Sequence, residues 1–329
     1  MPRSSGTLNY DAANRLISRN YEEISTPHTE TLEYDNNGNQ GKITNEWVSP
    51  GGNTYDTEEI RQYDLENRLT RTLRTNAEGR TYQTDYFYNG DGQLSKTITE
   101  ISFNDFETSY YLNDGNSIIA ELDGAGAVID SYTRIPGNGN LISAYRQIDY
   151  KSSNINDRGT VYTCSDLMGN LMLVFARDID EVQPNCFDYF GFGGSSEGSL
   201  GRFGFTGAPS FNGLYKMGAR YYNPEIGRFI TRDTYRGDIY KPWTQNLYTY
   251  CNNNPVNYVD PTGHMSFNPG AGLNYVNENY IMPFFDPGDT ALGAVKSTFK
   301  AVGVTFVWVG GKAYAINAGT AGAGTAVAA

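Results

Sequence analysis

The chain has 329 residues, enough to bury a sizeable core, and its composition favours β-structure. The 26 tyrosines, 37 glycines and only 19% charged residues are typical of short strands joined by tight turns, and they exclude a long helical bundle. The net charge of −12 lies entirely in residues 1–264, because residues 265–329 carry three acidic and three basic side chains. We therefore expect residues 1–264 to bind neither nucleic acid nor anionic lipid.

No cofactor or metal site is expected. Cys164, Cys186 and Cys251 have no CxxC spacing, which argues against a zinc site or a disulfide framework. His28 and His264 are far apart in the sequence and suggest no metal pair. The N-terminus has no apolar segment, so we expect no signal peptide in this chain. It is then either exported by a dedicated route or the closing part of a longer protein.

A tyrosine-containing motif recurs through the first third of the chain. Each copy consists of a strand with the tyrosine, a turn rich in Asp, Asn and Gly, and a strand that opens with Leu or Ile. Asn and Gly suit these turns because they tolerate the positive φ that hairpins need. A period of 23 to 29 residues predicts one stacked hairpin per repeat, with the tyrosine packed and the aspartate capping the turn. The anchor tyrosines are Tyr10, Tyr34, Tyr63, Tyr88 and Tyr111.

Three of these copies, YDAANRL, YDNNGNQ and YDLENRL, resemble the YD repeats of the RHS family. Downstream, residues 166–182 resemble the family's DHLGS unit, with Leu167 in the place of the histidine. Residues 203–238 and 246–264 closely resemble the RHS repeat-associated core. The resemblance implies a mainly β fold, in which antiparallel hairpins of YD repeats spiral into part of a β-cocoon shell closed by the core domain.

The resemblance also implies three parts and a function. YD/RHS repeats are expected over residues 1–160, the core over residues 161–264, and a variable toxin or pre-toxin segment over residues 265–329. Such cores end the repeat regions of bacterial polymorphic toxins and of the C component of insecticidal toxin complexes. The implied protein is a secreted or cell-surface shell that encloses its own C-terminal segment, with an immunity protein or a delivery-complex subunit as partner. A non-catalytic cell-surface or adhesion scaffold is the alternative.

Self-cleavage at the end of the core, as in the family, would make the chain an aspartyl autoprotease that acts only on itself. By resemblance, Asp233 in GRFITRD and Asp260 in NYVDPTGH occupy the two aspartate positions, and the cut falls between His264 and Met265. Two carboxyl groups that share one proton can supply a neutral acid and an ionised base. Both aspartates also lie in turn-forming sequences, so capping roles are the alternative to catalysis.

Arginines near the first aspartate are candidates to keep it ionised and oriented. Arg220, Arg228 and Arg232 are the three, and Arg228 is the predicted one because it belongs to the family's GRF string. The chain departs from the family at Thr234, where proline is common, and at His264, where Leu or Trp is usual. A large apolar residue could seat the scissile peptide, so His264 is expected to slow or abolish cleavage. Its imidazole could instead serve as a general base.

The C-terminal segment shows a helical periodicity. Apolar residues recur there at steps of three and four, which predicts a short helical tail. The uncharged run 301–311 is shorter than the roughly 20 residues of a membrane span. A membrane-active helix within residues 291–329, a buried helix or linker inside the shell, and a reading frame that ends before any effector domain remain as alternatives. The apolar stripe consists of Leu292, Val295, Phe299, Val302, Phe306 and Val309.

Overall fold

The computed structural model describes residues 6–23, 26–134, 141–146, 159–166, 168–176, 185–186, 189, 191–194, 202–269, 296–299, 304–309 and 312–317. One antiparallel sheet of 15 strands, each paired with its neighbours in sequence, dominates these residues and confirms the predicted mainly β fold. Its strands are β1 (Leu8–Tyr10), β2 (Leu16–Glu23), β3 (Thr26–Tyr34), β4 (Gln40–Val48), β5 (Thr54–Tyr63), β6 (Leu69–Thr75), β7 (Thr81–Tyr88), β8 (Leu94–Ser102), β9 (Asp105–Asp114), β10 (Ser117–Leu122), β11 (Val128–Arg134), β12 (Leu141–Arg146), β13 (Gly159–Ser165), β14 (Leu171–Ala176) and β15 (Asn185–Cys186).

Aspartate or asparagine side chains cap seven of the turns that join neighbouring strands of this sheet. In each of these turns, one side-chain oxygen accepts the main-chain N–H groups two and four residues later. At Asp64, for example, Oδ1 accepts the N–H groups of Glu66 and Arg68, both at 2.9 Å, and Oδ2 accepts Arg68 Nε at 2.7 Å. The aspartate of the YD motif therefore caps its turn. The capping residues are Asp11, Asp35, Asp64, Asn76, Asn89, Asp123 and Asp166.

The anchor tyrosines link successive turns. In three of the five, the hydroxyl donates to the main-chain carbonyl of the first residue of the preceding strand, just after the previous turn of the same edge. These bonds run from Tyr34 to Leu16 at 3.0 Å, from Tyr63 to Gln40 at 2.8 Å, and from Tyr88 to Leu69 at 2.8 Å. The three side chains are half-buried rather than fully buried because they reach towards the turn edge. Each repeat is thereby tied to the one before it.

In the next repeat, the side chain that makes this hydrogen bond lies two residues after the expected anchor tyrosine. Asn113 Nδ2 donates to the Leu94 carbonyl at 2.9 Å, so Asn113 takes the place that tyrosine has in the earlier repeats. Tyr111, the expected anchor, is buried and packs edge-on against Phe211 at 5.4 Å between ring centroids. Tyr10 in the edge strand β1 is 44% exposed, which differs from the expected burial because only one neighbouring strand covers it.

A second, four-stranded antiparallel sheet packs against the long sheet. It consists of β16 (Ser210–Phe211), β17 (Leu214–Met217), β18 (Arg220–Asn223) and β19 (Arg228–Phe229). One face joins the main core with Tyr221, and the other forms an aromatic cluster around Tyr222, because side chains alternate along a strand. Short 3-10 turns complete this region at Phe205–Gly207, Pro242–Gln245 and Cys251–Asn253.

The predicted helical tail is wrong for the described part of residues 291–329. Three antiparallel strands occupy it, β20 (Lys296–Phe299), β21 (Val304–Val309) and β22 (Lys312–Asn317). The β-branched and aromatic residues of β21 favour a strand, and this preference outweighs the helical spacing. The rest of the apolar stripe, Leu292, Val295 and Val302, lies outside the described residues. Within the described chain, no helix has the length and apolar character to cross a membrane.

The repeat linkage predicts the effect of removing one hydroxyl. In Tyr63→Phe, the carbonyl of the fully buried Gln40 loses its tyrosine donor, so we expect unfolding free energy to fall by about 1–3 kcal/mol. Urea denaturation followed by circular dichroism measures the change. The control is Tyr10→Phe on the exposed edge strand, where the change should stay within about 0.5 kcal/mol. Equal effects of the two variants would contradict the linkage.

Candidate functional site

Arg220 in β18 brings the two predicted aspartates together. Its Nη2 lies 2.7 Å from Asp233 Oδ2 and 3.7 Å from Asp260 Oδ2. The three side chains are only 5%, 11% and 4% exposed, respectively. Asp233 follows β19 and Asp260 opens the last turn of the region, so both lie beside the same guanidinium although they are far apart in sequence. The structure therefore brings two carboxyl groups to one site, of which Asp260 is buried and Asp233 is partly buried.

Main-chain acceptors and one ring fix the Arg220 guanidinium. Nε donates to the Gly263 carbonyl and Nη1 donates to the Leu247 carbonyl at 3.0 Å. The Arg220 Cζ atom lies 3.7 Å from the centroid of the Phe229 ring. Burial lowers the pKa of Arg220 to about 10, against the attraction of the two carboxylates. The guanidinium thus stays positively charged at neutral pH.

The turn that begins at Asp260 contains the expected cleavage position. Asp260 Oδ1 accepts the main-chain N–H groups of His264 and Met265, both at 3.1 Å, and the Thr262 hydroxyl at 3.2 Å. The Thr262 Oγ1 also accepts both N–H groups, at 3.3 Å each. The peptide bond between His264 and Met265 therefore lies directly beside the Asp260 carboxyl group.

Two glycines allow this turn to press against the β17–β18 hairpin. Gly263 has φ of +71° and Gly218 has φ of +50°, values that disfavour other residues. A Cβ at Gly263 would overlap the Met217 carbonyl, and one at Gly218 would overlap the Thr262 carbonyl. The Ala219 N–H donates to that same Thr262 carbonyl at 2.9 Å. The turn is held against the strand that carries Arg220.

The His264 side chain contacts one carboxyl oxygen of Asp233. Its Nδ1 lies 2.9 Å from Asp233 Oδ1, and its side chain is 38% exposed. Asp233 Oδ1 also accepts the Tyr235 N–H at 2.9 Å, while Oδ2 contacts Arg220. Both oxygens of Asp233 are thus engaged. His264, at the position where RHS cores usually have Leu or Trp, therefore contacts Asp233 directly.

Arg228, the arginine predicted to hold Asp233, takes other partners. Its Nη2 donates to the Asn14 carbonyl at 2.9 Å and to Asn246 Oδ1 at 3.0 Å, and its Cζ lies 4.9 Å from the Tyr10 ring centroid. The guanidinium beside Asp233 is that of Arg220 instead. Strand alternation explains the difference, because Phe229 faces Arg220 and its neighbour Arg228 must point away.

A signal in the sequence favours Arg220. It lies two residues before Tyr222 and therefore on the same face of its strand. Tyr222 is completely buried, so a charged side chain in phase with it must be paired. Arg228 is next to the buried Phe229 in β19, so its side chain points to the opposite face of the strand. Phase within the strand, rather than closeness in sequence to Asp233, identifies the arginine of the site.

Comparison with known proteins finds curated relatives, whereas no protein-family model matches the chain. The chain is 26% identical over 279 residues to the tRNA3(Ser)-specific nuclease WapA of Bacillus spizizenii, a match that covers 80% of this chain and 10% of that protein. The tRNA nuclease WapA of Bacillus subtilis strain 168 is 26% identical over 280 residues, with the same coverage. Over four fifths of its length, the chain is similar to the WapA proteins. It spans about a tenth of their length.

Solved structures with similar chains include two that contain TccC3. The crystal structure of TcdB2-TccC3 has a TM-score of 0.48 and 21% identity, and the match covers 78% of this chain and 16% of that chain. The Tc holotoxin pore of Photorhabdus luminescens, with a TccC3 variant, has a TM-score of 0.47 and 19% identity. That match covers 80% of this chain and 15% of the other.

The paired carboxylates predict a large effect of removing Arg220. Arg220→Gln leaves Asp233 and Asp260 buried without their shared cation, so unfolding free energy should fall by roughly 3–5 kcal/mol. The matched control is Arg228→Gln, which loses bonds at a half-exposed edge and should cost about 1 kcal/mol. Chemical denaturation of both variants tests this. Similar losses would mean that the buried cation contributes no more than an ordinary hydrogen-bonded arginine.

Proposed function

We propose that this chain closes a toxin-delivery shell and cuts itself after His264 to free residues 265–329. One observation carries the cleavage step. The nitrogen of Met265, which would leave, lies 3.1 Å from Asp260 Oδ1, and Asp260 shares the Arg220 guanidinium with Asp233. The RHS-like motifs and the similarity to the WapA proteins support the shell.

The geometry suggests separate roles for the two carboxyl groups. Asp233, in the shorter contact with Arg220, is the ionised base and takes a proton from a water molecule. The water oxygen bonds to the carbonyl carbon of His264. Water attack makes the Met265 nitrogen pyramidal and frees its lone pair. Protonated Asp260, whose Oδ1 accepts that N–H before the reaction, then gives its proton to the lone pair, and the carbon–nitrogen bond breaks. The products are a carboxyl group on His264 and an amine on Met265.

Arg220 has two tasks in this reaction. Its charge lowers the cost of burying a carboxylate at Asp233. Its Nε bond to the Gly263 carbonyl, one residue before the scissile bond, fixes the peptide relative to both aspartates. A group that holds substrate and catalytic residues in one geometry lowers the entropic barrier to reaction.

The remaining parts of the proposal concern the whole protein. We place the shell outside the producing cell, with YD/RHS repeats over residues 1–160, the core over residues 161–264 and the variable segment as enclosed cargo. The boundary at residue 160 is not an end of the long sheet, because strand β13 runs from Gly159 to Ser165 across it. A delivery-complex subunit and an immunity protein are the proposed partners. The relatives' names specify tRNA cleavage, which we do not assign to residues 1–264, because their net charge of −12 repels nucleic acid.

A non-catalytic surface or adhesion scaffold is the second candidate function. The contacts of Asp260 with the N–H groups of His264 and Met265 are also those of a turn cap. In that case the chain would stay whole and the site would only stabilise the end of the core. The two functions differ in one measurement, the mass of the purified chain.

Substitution of either aspartate tests the cleavage. The wild-type chain of 36.4 kDa should give a product of 264 of its 329 residues on a denaturing gel, and N-terminal sequencing of the other fragment should begin at Met265. Asp233→Asn and Asp260→Asn keep the shape but remove the ionisable group, so both should remain intact. Glu33→Gln, on an exposed position of β3, is the control that should be cut normally. If both the wild-type chain and His264→Leu remain whole, the result favours the scaffold.

His264 offers an independent test of the base. Because His264 contacts Asp233 Oδ1, it competes with water for that oxygen. His264→Leu removes the contact and should leave self-cleavage unchanged or faster, followed as the first-order loss of the intact chain. Slower cleavage would instead assign the base role to the imidazole, with Asp233 as its orienting partner.

A further inference from the structure

A main-chain clamp closes the loop that contains the proposed scissile bond. The Val259 N–H donates to the Phe267 carbonyl at 3.0 Å, and the Phe267 N–H donates to the Val259 carbonyl at 2.9 Å. Residues 260–266 form the loop between these two partners. The His264–Met265 bond is therefore tied on one side by Arg220 through Gly263 and on the other side by this pair.

Burial does little to hold the chain after the cut position. Met265 is 75% exposed and Phe267 is 50% exposed, whereas Val259 is only 5% exposed. Beyond Met265, the described contacts of the loop are the Ser266 Oγ with Asn252 Nδ2 at 3.3 Å and the two bonds to Val259. An exposed segment with so few contacts would fray without these bonds. The clamp connects the leaving side of the scissile bond to the buried core.

We propose that the Val259–Phe267 main-chain pair positions the Met265 nitrogen against Asp260, an inference that rests on the proposed self-cleavage. The Met265 N–H reaches Asp260 Oδ1 and Thr262 Oγ1 from a segment that could otherwise turn into solvent. A reacting atom displaced by about 1 Å can slow a reaction by about 100-fold. Phe267 is thus a positioning residue that acts through Met265 and Asp260 without touching the reacting atoms.

Two substitutions of Phe267 distinguish the role of its main chain from the role of its side chain. Phe267→Pro removes the N–H that binds the Val259 carbonyl. Phe267→Ala removes the half-exposed ring and keeps both main-chain bonds. We expect Phe267→Pro to cut itself at least about tenfold more slowly than wild type, and Phe267→Ala to cut at the wild-type rate.

A second readout separates positioning from loss of structure. Hydrogen exchange is measured on the Asp233→Asn background of all three chains, so that they stay whole. Phe267→Pro should lose protection at the Met265 amide while the long sheet keeps its protection. In the cleavable chains, the pH dependence of the rate should keep its shape, because both carboxyl groups remain.

Each outcome decides between the proposals. If neither the wild-type chain nor His264→Leu is cut, the self-cleavage proposal fails and the clamp fails with it. If only His264→Leu is cut, the Phe267 variants are compared on that background. A wild-type chain that is cut, together with an equal rate in Phe267→Pro, overturns the clamp alone. An equal loss of rate in Phe267→Ala, or a loss of sheet protection in Phe267→Pro, assigns the effect to packing and also overturns it. A slow Phe267→Pro with an intact sheet and a normal Phe267→Ala supports it.

Discussion

The buried guanidinium of Arg220 is the interaction on which the end of this chain depends. It joins β18, the segment after β19, the turn from Asp260 and the carbonyl of Leu247 through one planar group. Burying a charge is expensive, and the cost is offset only when the charge is paired and its donors are satisfied. Here two carboxyl groups and two main-chain carbonyls do so. Because these partners come from three separate segments, the site forms only when the whole region has folded.

The long sheet supplies the platform that makes this burial possible. The Tyr88 hydroxyl lies 3.3 Å from that of Tyr221, and the Tyr86 and Tyr221 rings meet edge-on at 5.9 Å. Asn212 Nδ2 adds hydrogen bonds to Thr84 at 3.1 Å and to the Tyr86 hydroxyl at 2.9 Å. One face of β17 and β18 is thereby fixed on the repeats. The opposite face then turns Arg220 and Tyr222 towards the last turn, since alternate side chains point to opposite sides.

The sequence alone predicts the hairpin repeat and the capping aspartates, because each depends on a local pattern, whereas the pair of site aspartates follows from the resemblance to the RHS core. Three features of the structure could not be predicted from the sequence. The shift from Tyr111 to Asn113 depends on which side chain reaches a carbonyl across the strands. The choice of Arg220 over Arg228 depends on strand phase, which a motif alone does not show. The strand β21 shows that β-branched residues can carry an apolar spacing that also fits a helix.

The candidate catalytic turn is a variant of the turns that build the repeats. In the repeats, an aspartate such as Asp64 accepts the N–H groups two and four residues later, and this closes a tight hairpin. Asp260 instead accepts those four and five residues later, with the Thr262 hydroxyl in place of the nearer N–H. The same carboxyl therefore reaches one residue further along the chain, to the nitrogen of Met265. Capping and catalysis need not exclude each other here, because the contact that stabilises the turn is also the one that would place an acid beside a leaving nitrogen. What separates this turn from the repeat turns is the second carboxyl group, Asp233, which Arg220 brings to the same place.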